Sequence, residues 1–352
     1  MAERADALLR LSQGGSVLLH SPENMRYFSG FLGEGALVIG EKTRAIVTDF
    51  RYVEAAGRQS PGWQVLSTAA NRPESAVIAE LVNDLGAPVL WEEDFLSIAA
   101  GAKLREAIRL PISGLGGLAL ALRAVKAEGE EEKMARAEKI TEEAFLHILG
   151  FLKPGLTERE VALELYHAML LRGADGLSFP SIVASGENGS LPHAIPSERK
   201  LQSGDLVTMD FGCVVDGYCA DFTRTIALGR IDEELKTIYQ IVLEANLLAL
   251  DALQEGASGK GVDRLARDYI GKAGYGGRFG HGLGHGVGLQ IHENPRLSPS
   301  AGDEPLLAGM AVTVEPGIYL PGKGGVRIED LCILKPGGHR NLCKASKELI
   351  TL

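Results

Sequence analysis

The chain has 352 residues, of which 45% are hydrophobic and 23% charged, an ordinary composition for a folded globular protein. The formal net charge is −10 and no block of Lys and Arg occurs, which argues against a nucleic-acid partner, because such a partner selects a basic face. No apolar run reaches the length of a membrane span, about 18 residues, and no signal-peptide core is present, so we expect a cytoplasmic protein with reduced cysteines.

The first third of the chain alternates between strand and helix patterns. Two amphipathic stretches, 74–86 and 97–108, predict helices. Short apolar runs predict strands at 16–20, 35–40, 44–50 and 87–93. Alternation on this scale is typical of an α/β domain, which we place at residues 1–122.

A highly charged stretch follows at 127–139 and predicts the start of a long helix. It opens a second predicted domain, residues 123–352. We interpret its acidic run, Glu128–Glu132, as a solvated helix start that the helix dipole favours.

The second domain contains an internal repeat, with matches that are weak singly but collinear. The matching pairs are 153–173 with 254–274 (offset 101), His193-x-x-Pro196 with His292-x-x-Pro295 (offset 99), and 204–210 with 309–315 (offset 105). Each half therefore predicts two helices, a histidine-bearing segment, a strand ending in an acid, and a hairpin with a second acid on its return strand. Two such halves related by a pseudo-twofold axis would bring their acids together.

The four acids in question are Asp210 and Asp221 in the first half and Glu315 and Glu329 in the second. Buried carboxylates at close range cannot all ionise unless cations compensate them. Two divalent ions would do so, and a set of oxygen ligands with one imidazole suits Mn, Co, Fe or Zn better than Mg or Ca. The duplicated acids therefore predict a paired metal site.

The histidine for such a site lies in a glycine-rich run, 279–293. His281 and His285 are four residues apart, but the alternating glycines disfavour a helix. The run is neither H-E-x-x-H nor G-x-G-x-x-G. Glycines at a period of two predict extended backbone packed closely against a neighbour, with both histidines on one face.

With these residues in view, the chain resembles the metallopeptidase family that includes aminopeptidase P, prolidase and methionine aminopeptidase. The resemblance rests on MDFG, ADFTRT, GHGLGHGVG, VEPGIY and VRIED, in that order, and covers the whole chain. NMRYFSGF and VTDFRYVEAA are similar to the N-terminal domain of the proline-specific branch. The resemblance implies an α+β fold: a pita-bread catalytic domain with an internal pseudo-twofold duplication, preceded by a smaller α/β domain.

The resemblance also implies roles for particular residues. The five metal ligands of the family fall on Asp210, Asp221, His285, Glu315 and Glu329. The substrate-handling positions fall on His193, His292, His281, Arg327 and Tyr319. Other interpretations remain open: the two His-x-x-Pro matches could reflect duplicated turns, and Arg327 could pair with a hairpin neighbour such as Asp330.

The function that the resemblance implies is hydrolysis of the Xaa-Pro bond, in dipeptides or at peptide N-termini, by a hydroxide that bridges two divalent ions. Mn is the first expectation, with Co, Zn or Fe as alternatives. Glu315 would act as general base, and His193 and His292 would donate hydrogen bonds as charge builds on the substrate; Thr223 could support a ligand. We expect proline-containing dipeptides or short peptides as substrates, and a homodimer. The alternatives are an enzyme like methionine aminopeptidase and a non-catalytic creatinase-fold interaction module.

Overall fold

The computed structural model describes residues 2–352, which divide into one unit up to Arg123 and one of Ala124–Leu352. Across this described range, no helix is long and apolar enough to cross a membrane. The two units are described separately below.

A six-stranded sheet forms the centre of the first unit, in the order β4-β3-β2-β1-β5-β6. Its strands are β1 (Ser16–Leu19), β2 (Ala36–Ile39), β3 (Arg44–Thr48), β4 (Gln64–Ser67), β5 (Val89–Trp91) and β6 (Ile112–Gly114). Its helices are α1 (Ala2–Leu11), α2 (Pro22–Ser29), α3 (Val53–Gln59), α4 (Glu74–Leu85), α5 (Ile98–Ala107) and α6 (Leu118–Ala124), the last of which ends one residue into the second unit.

This unit confirms the four strands and two helices that the sequence predicts for it. The β1–β2 and β2–β3 pairs are antiparallel, whereas the other three pairs are parallel. Buried side chains of the sheet, such as Leu18 and Val38, pack with Val77 and Val82 of α4. Two short strands, β4 and β6, escape the sequence patterns because their residues are mostly exposed and carry little apolar signal.

The second unit contains helices and several small sheets. Its helices are α7 (Glu128–Phe151), α8 (Glu158–Leu171), α9 (Glu233–Ala252) and α10 (Gly259–Ile270), with short 3₁₀ helices at Gly186–Ser190 and Gly276–Arg278 and a π-type turn at Gly271–Tyr275. Its strands are β7 (Gly176–Leu177), β8 (Ile182–Ser185), β9 (Leu206–Phe211), β10 (Cys213–Val215), β11 (Tyr218–Cys219), β12 (Phe222–Ala227), β13 (Gly284–Gly286), β14 (Glu293–Leu297), β15 (Ala311–Val314), β16 (Gly317–Leu320), β17 (Gly324–Arg327), β18 (Asp330–Lys335) and β19 (Gly338–Asn341).

The internal duplication is confirmed in this unit. In the first half, α7 and α8 precede β9, the β10–β11 hairpin and the return strand β12, which pairs with β9. In the second half, α9 and α10 precede β15, the β16–β17 hairpin and the return strand β18, which pairs with β15. Each half has its own hydrophobic core, built largely from its helix pair and its strands.

The interpretation of the acidic run at the start of α7 as solvated is wrong for two of its members. Glu130 and Glu131 are buried. Tyr218 donates to Glu130, and Lys335 donates to both oxygens of Glu131 at 2.7 and 2.6 Å. These carboxylates fix the start of the helix to the strands beneath it, so tertiary pairing outweighs the local preference for solvent.

Candidate active site

The duplicated strands bring the predicted ligands to one place. Asp210 is near the end of β9, opposite Thr223 on β12, and Asp221 immediately precedes β12. In the second half, Glu315 immediately follows β15 and Glu329 immediately precedes β18.

The five predicted ligands form one cluster. Asp210, Asp221 and Glu329 each offer an oxygen atom, and these atoms lie within 4.8 Å of one another. His285, in β13, places its Nε2 3.5 Å from Asp221 Oδ2 and 3.3 Å from Glu315 Oε1. The cluster is a candidate metal centre.

Electrostatics in the cluster are unfavourable without a cation. Burial, and then the negative charge of neighbouring carboxylates, raises the pKa of Asp221 and of Glu329 well above the ordinary values. Burial likewise raises the pKa of Glu315 to about 8. Asp210 Oδ1 is buried and has no hydrogen-bond partner among the described residues. Such a set is stabilised by divalent ions, and the donor set fits them.

The orientation of His285 leads to the same conclusion. Its Nδ1 lies 3.0 Å from the carbonyl oxygen of Gly286, so Nδ1 carries the proton and Nε2 presents a lone pair. Burial lowers the pKa of His285 to about 3, so the ring is neutral at pH 7. A lone pair facing two carboxylate oxygens at 3.3 and 3.5 Å repels them unless a cation lies between. His285 is therefore suited to bind a metal through Nε2.

Close packing of the glycine-rich strand holds His285 in place. A Cβ at Gly284 would lie 2.0 Å from the carbonyl oxygen of Thr313, and one at Gly286 would lie 2.2 Å from that of Asn294. This confirms the prediction of extended backbone packed closely against neighbouring strands. Only glycine fits these positions on either side of the histidine.

Arg327 is the cation that faces the acids directly. Its Nη2 donates to Asp210 Oδ2 at 2.6 Å and its Nη1 donates to Tyr319 Oη at 3.0 Å. Asp330, the alternative partner suggested by the sequence, pairs instead with Arg224 at 3.1 Å and Lys347 at 2.8 Å. The guanidinium therefore neutralises the carboxylate of Asp210. The other three carboxylates still need positive charge from another source.

Tyr319 and Thr223 make hydrogen bonds with residues of the cluster and of its surroundings. Tyr319 Oη lies 2.8 Å from His281 Nε2, and His281 Nδ1 lies 2.8 Å from the Gly282 carbonyl oxygen, so the tyrosine donates to the histidine. Thr223 Oγ1 donates to Glu329 Oε2 at 2.6 Å. Burial, and then the charge of Arg327, lowers the pKa of His281 to about 4, so this ring is also neutral.

A cavity of about 630 Å³ opens onto the cluster. The five predicted ligands line it together with His193, His281, His292 and Arg327. Tyr319 does not belong to the described residues that line the cavity, and it is 7% exposed. It makes hydrogen bonds with two side chains that do line the cavity, Arg327 and His281. The cavity is thus lined by nine of the ten residues on which the metal-ligand and substrate-handling positions of the family fall.

The sequence pattern missed the remaining walls of this cavity. They include Phe179, Ile195, Arg296, Ser298 and Ser300. Arg296 makes no ion pair with any residue in the described range. The one sequence feature that could have pointed to Arg296 as a site residue is its position four residues after His292.

Comparison with known proteins identifies the family. Residues 132–336 match the model of metallopeptidase family M24, and residues 2–125 match the creatinase/prolidase N-terminal domain. The chain therefore belongs to metallopeptidase family M24. It is a metal-dependent peptidase, and family membership implies divalent metal ions.

Similar proteins are known over the full length of the chain. The structure of an Xaa-Pro dipeptidase from Bacillus anthracis is 42% identical with a TM-score of 0.96 and covers 99% of each chain. An X-Pro aminopeptidase from Thermotoga maritima is 36% identical with a TM-score of 0.91, over 98% of this chain and 99% of that one. A Pyrococcus furiosus Xaa-Pro dipeptidase is 35% identical over 99% of this chain and 100% of that protein. The predicted fold class and the resemblance to the proline-specific branch are confirmed.

Proposed function

We propose that this protein is a two-metal exopeptidase that hydrolyses the bond between an amino-terminal residue and a following proline. The observation that carries the proposal is the buried cluster of four carboxylates and one neutral imidazole, with Arg327 as its facing cation. The names of the similar dipeptidases and aminopeptidase, all acting before proline, support the choice of substrate.

The metal ligands in this proposal are Asp210, Asp221, His285, Glu315 and Glu329, and Mn is the first candidate ion. When bound, two such ions polarise the scissile carbonyl and activate a water molecule. The chain supplies the rest of the chemistry through its own side chains.

Glu315 takes the proton of the attacking water, since its carboxylate both faces His285 at 3.3 Å and lines the cavity. His292, whose ring centroid is 4.3 Å from that of His285, donates a hydrogen bond as charge develops on the carbonyl oxygen. His193, which also lines the cavity, donates to the leaving side. The free amine of the substrate is attracted to the acids, which favours removal of a single terminal residue.

Substrate length is the finer question, and we favour a dipeptide. The volume of about 630 Å³ suits a small ligand. A dipeptide carries its carboxylate one residue beyond the scissile bond, and Arg296 offers the cavity a guanidinium that forms no direct ion pair with the described residues, although its charge counters part of the rise that burial causes in the pKa of Glu315. A longer peptide has no charge at that position.

The test is hydrolysis of Xaa-Pro dipeptides and Xaa-Pro tripeptides by Mn-reconstituted protein, with Glu315→Gln and Arg296→Met alongside. We expect dipeptide cleavage, its loss in Glu315→Gln, and a larger loss on dipeptides than on tripeptides in Arg296→Met. Tripeptides cleaved as well as dipeptides by the unaltered protein, with Arg296→Met lowering cleavage of both equally or of neither, would favour an aminopeptidase instead. No cleavage of either by protein shown to hold two metal ions would refute the assignment.

Assembly and compartment also belong to this proposal. The family resemblance supports a homodimer, which sedimentation equilibrium would measure directly. The four cysteines are free and buried, as a reducing cytoplasm allows.

A further inference from the structure

A buried carboxylate outside the metal cluster makes an unusually complete set of hydrogen bonds. Glu158 is the first residue of α8 and is fully buried. Its Oε1 accepts from the Ser185 N–H at 2.7 Å and from Ser185 Oγ at 2.8 Å. Its Oε2 accepts from the Ser197 N–H at 3.0 Å and from Ser197 Oγ at 2.6 Å. Asn188 Nδ2 lies 3.1 Å from both oxygens.

These partners are the two ends of one loop. Ser185 ends β8 and Ser197 lies twelve residues further along the chain, so a single carboxylate closes the 185–197 loop. Five residues of this loop line the cavity, and two of them, His193 and Ile195, are exposed, Ile195 to 85%. The loop packs on β17 at Gly189, and its Pro192 carbonyl oxygen accepts from Arg327 Nη1 at 3.3 Å. Because the side chains of His193 and Ile195 are exposed, their position over the cavity also depends on how the loop ends are held.

The energetics show that these bonds are needed. A buried carboxylate is costly unless it is hydrogen-bonded. Burial raises the pKa of Glu158, but the hydrogen bonds from Ser197 and Ser185 outweigh it and lower the pKa below the ordinary value. The group is therefore held as an acceptor for both loop ends.

The second half of the duplicated unit meets the same requirement in another way. At the offset of 101 residues, Glu158 corresponds to Gly259. A Cβ at Gly259 would lie 2.4 Å from the carbonyl oxygen of Arg296, in the strand that follows His292. One histidine segment is thus fastened to the start of its helix by a carboxylate, and the other by direct backbone packing at a glycine.

We propose that Glu158 is a positioning residue that closes the 185–197 loop and thereby sets where His193 and Ile195 lie over the substrate cavity. The part of this inference that concerns catalysis rests on the proposed role of His193. The part that concerns the loop does not.

The variant to test is Glu158→Gln in the Mn-reconstituted protein. Glutamine keeps the size of the side chain but replaces one acceptor oxygen with an N–H donor, so one loop end loses its backbone partner. The matched control is Glu160→Gln on the same helix, whose carboxylate is exposed and, among the residues that the structure describes, accepts only from Thr157, at 2.7 and 2.9 Å. Ser197→Ala removes the 2.6 Å bond to Glu158, together with the acceptor of Asn188 Nδ2 at 3.3 Å and of the Arg199 N–H at 3.1 Å, and serves if Glu158→Gln does not fold.

Two readouts decide the proposal. Hydrogen exchange of the backbone amides of residues 186–191 and 193–195 should accelerate in Glu158→Gln and Ser197→Ala but not in Glu160→Gln. On an Xaa-Pro dipeptide, Glu158→Gln should lower kcat/KM about tenfold in the wild-type background but less than about twofold in a His193→Ala background, because coupled residues are non-additive.

An equal loss of kcat/KM in both backgrounds would show a general structural effect and overturn the positioning role. Unchanged loop exchange would overturn it as well. If the wild-type protein cleaves no Xaa-Pro substrate, the proposed function fails, while the exchange experiment still decides whether Glu158 holds the loop.

Discussion

The hydroxyl of Tyr319 offers a sharp test of how the site is organised. Its oxygen accepts from Arg327 Nη1 at 3.0 Å and donates to His281 Nε2 at 2.8 Å, and the residue is 7% exposed. Tyr319→Phe removes this one atom. Arg327 Nη1 keeps a second acceptor, the Pro192 carbonyl oxygen at 3.3 Å, whereas no other partner of His281 Nε2 is seen in the described chain.

The expected cost follows from the two bonds that are lost. One involves a charged donor and the other leaves a half-buried imidazole nitrogen without its partner, so the free energy of unfolding should fall by about 2 kcal/mol. Both Arg327 and His281 line the cavity, so their altered orientation should lower kcat/KM on an Xaa-Pro dipeptide by about tenfold, equivalent to about 1.4 kcal/mol.

Urea unfolding and steady-state kinetics measure the two effects on the same preparations. The matched control is Tyr239→Phe: Tyr239 is 3% exposed and donates one hydrogen bond, to the Lys347 carbonyl oxygen at 2.8 Å, but does not line the cavity. It should lose about 1 kcal/mol of stability without change in kcat/KM. If both variants change kcat/KM equally, or neither does, Tyr319 does not act by orienting the cavity wall and the reasoning above is wrong.

Three further predictions concern other parts of the molecule. Thr223→Val, which removes the 2.6 Å bond to Glu329, should weaken metal affinity about tenfold in competition with a fluorescent chelator, and unchanged affinity would show that the bond is dispensable. Gly284→Ala, whose Cβ would lie 2.0 Å from a backbone oxygen, should lower the Tm sharply. Gly277→Ala, whose Cβ would meet nothing within 4 Å, should leave the Tm nearly unchanged, and equal Tm values for the two variants would refute the packing argument. Although burial opposes ionisation, hydrogen bonds lower the pKa of Glu158 below 4.5 in the folded protein. The ionised carboxylate therefore stabilises the fold above pH 4.5, and this stabilisation is lost as the pH falls through the folded-state pKa. The difference in unfolding free energy between wild type and Glu158→Gln should therefore be constant above about pH 5.5 and shrink below 4.5, and a difference independent of pH would contradict an ionised Glu158.

The sequence was most informative where local patterns repeat. Strand, turn and return strand are encoded within about twenty residues, so the placement of Asp210 and Asp221 in one hairpin unit and of Glu315 and Glu329 in the other could be predicted. The glycine alternation around His285 likewise predicted close backbone packing, because few other arrangements require so many residues without a Cβ.

Partners across the fold could not be predicted in this way. The ion pair of Arg327 with Asp210 joins residues 117 apart, and its choice over Asp330 depends on how the two halves of the unit face each other. The burial of Glu131 depends on Lys335, 204 residues away. The loop clamp at Glu158 depends on serines 27 and 39 residues further on. In each case the local pattern is that of an ordinary surface charge.

The departures from symmetry explain why the duplicated unit forms a functional site and not merely a cluster of acids. The symmetry supplies the carboxylates in pairs, with Glu329 at an offset of 108 from Asp221. By the same offset, Arg327 corresponds to Cys219, an uncharged residue whose thiol cannot neutralise a carboxylate. The guanidinium therefore enters from one half only and pairs with Asp210 of the other. A symmetric pair of guanidiniums would neutralise more of the acids and compete with divalent ions. One arginine holds a single ligand in place and leaves enough negative charge to bind metal, so the site depends on the two halves being different at this position.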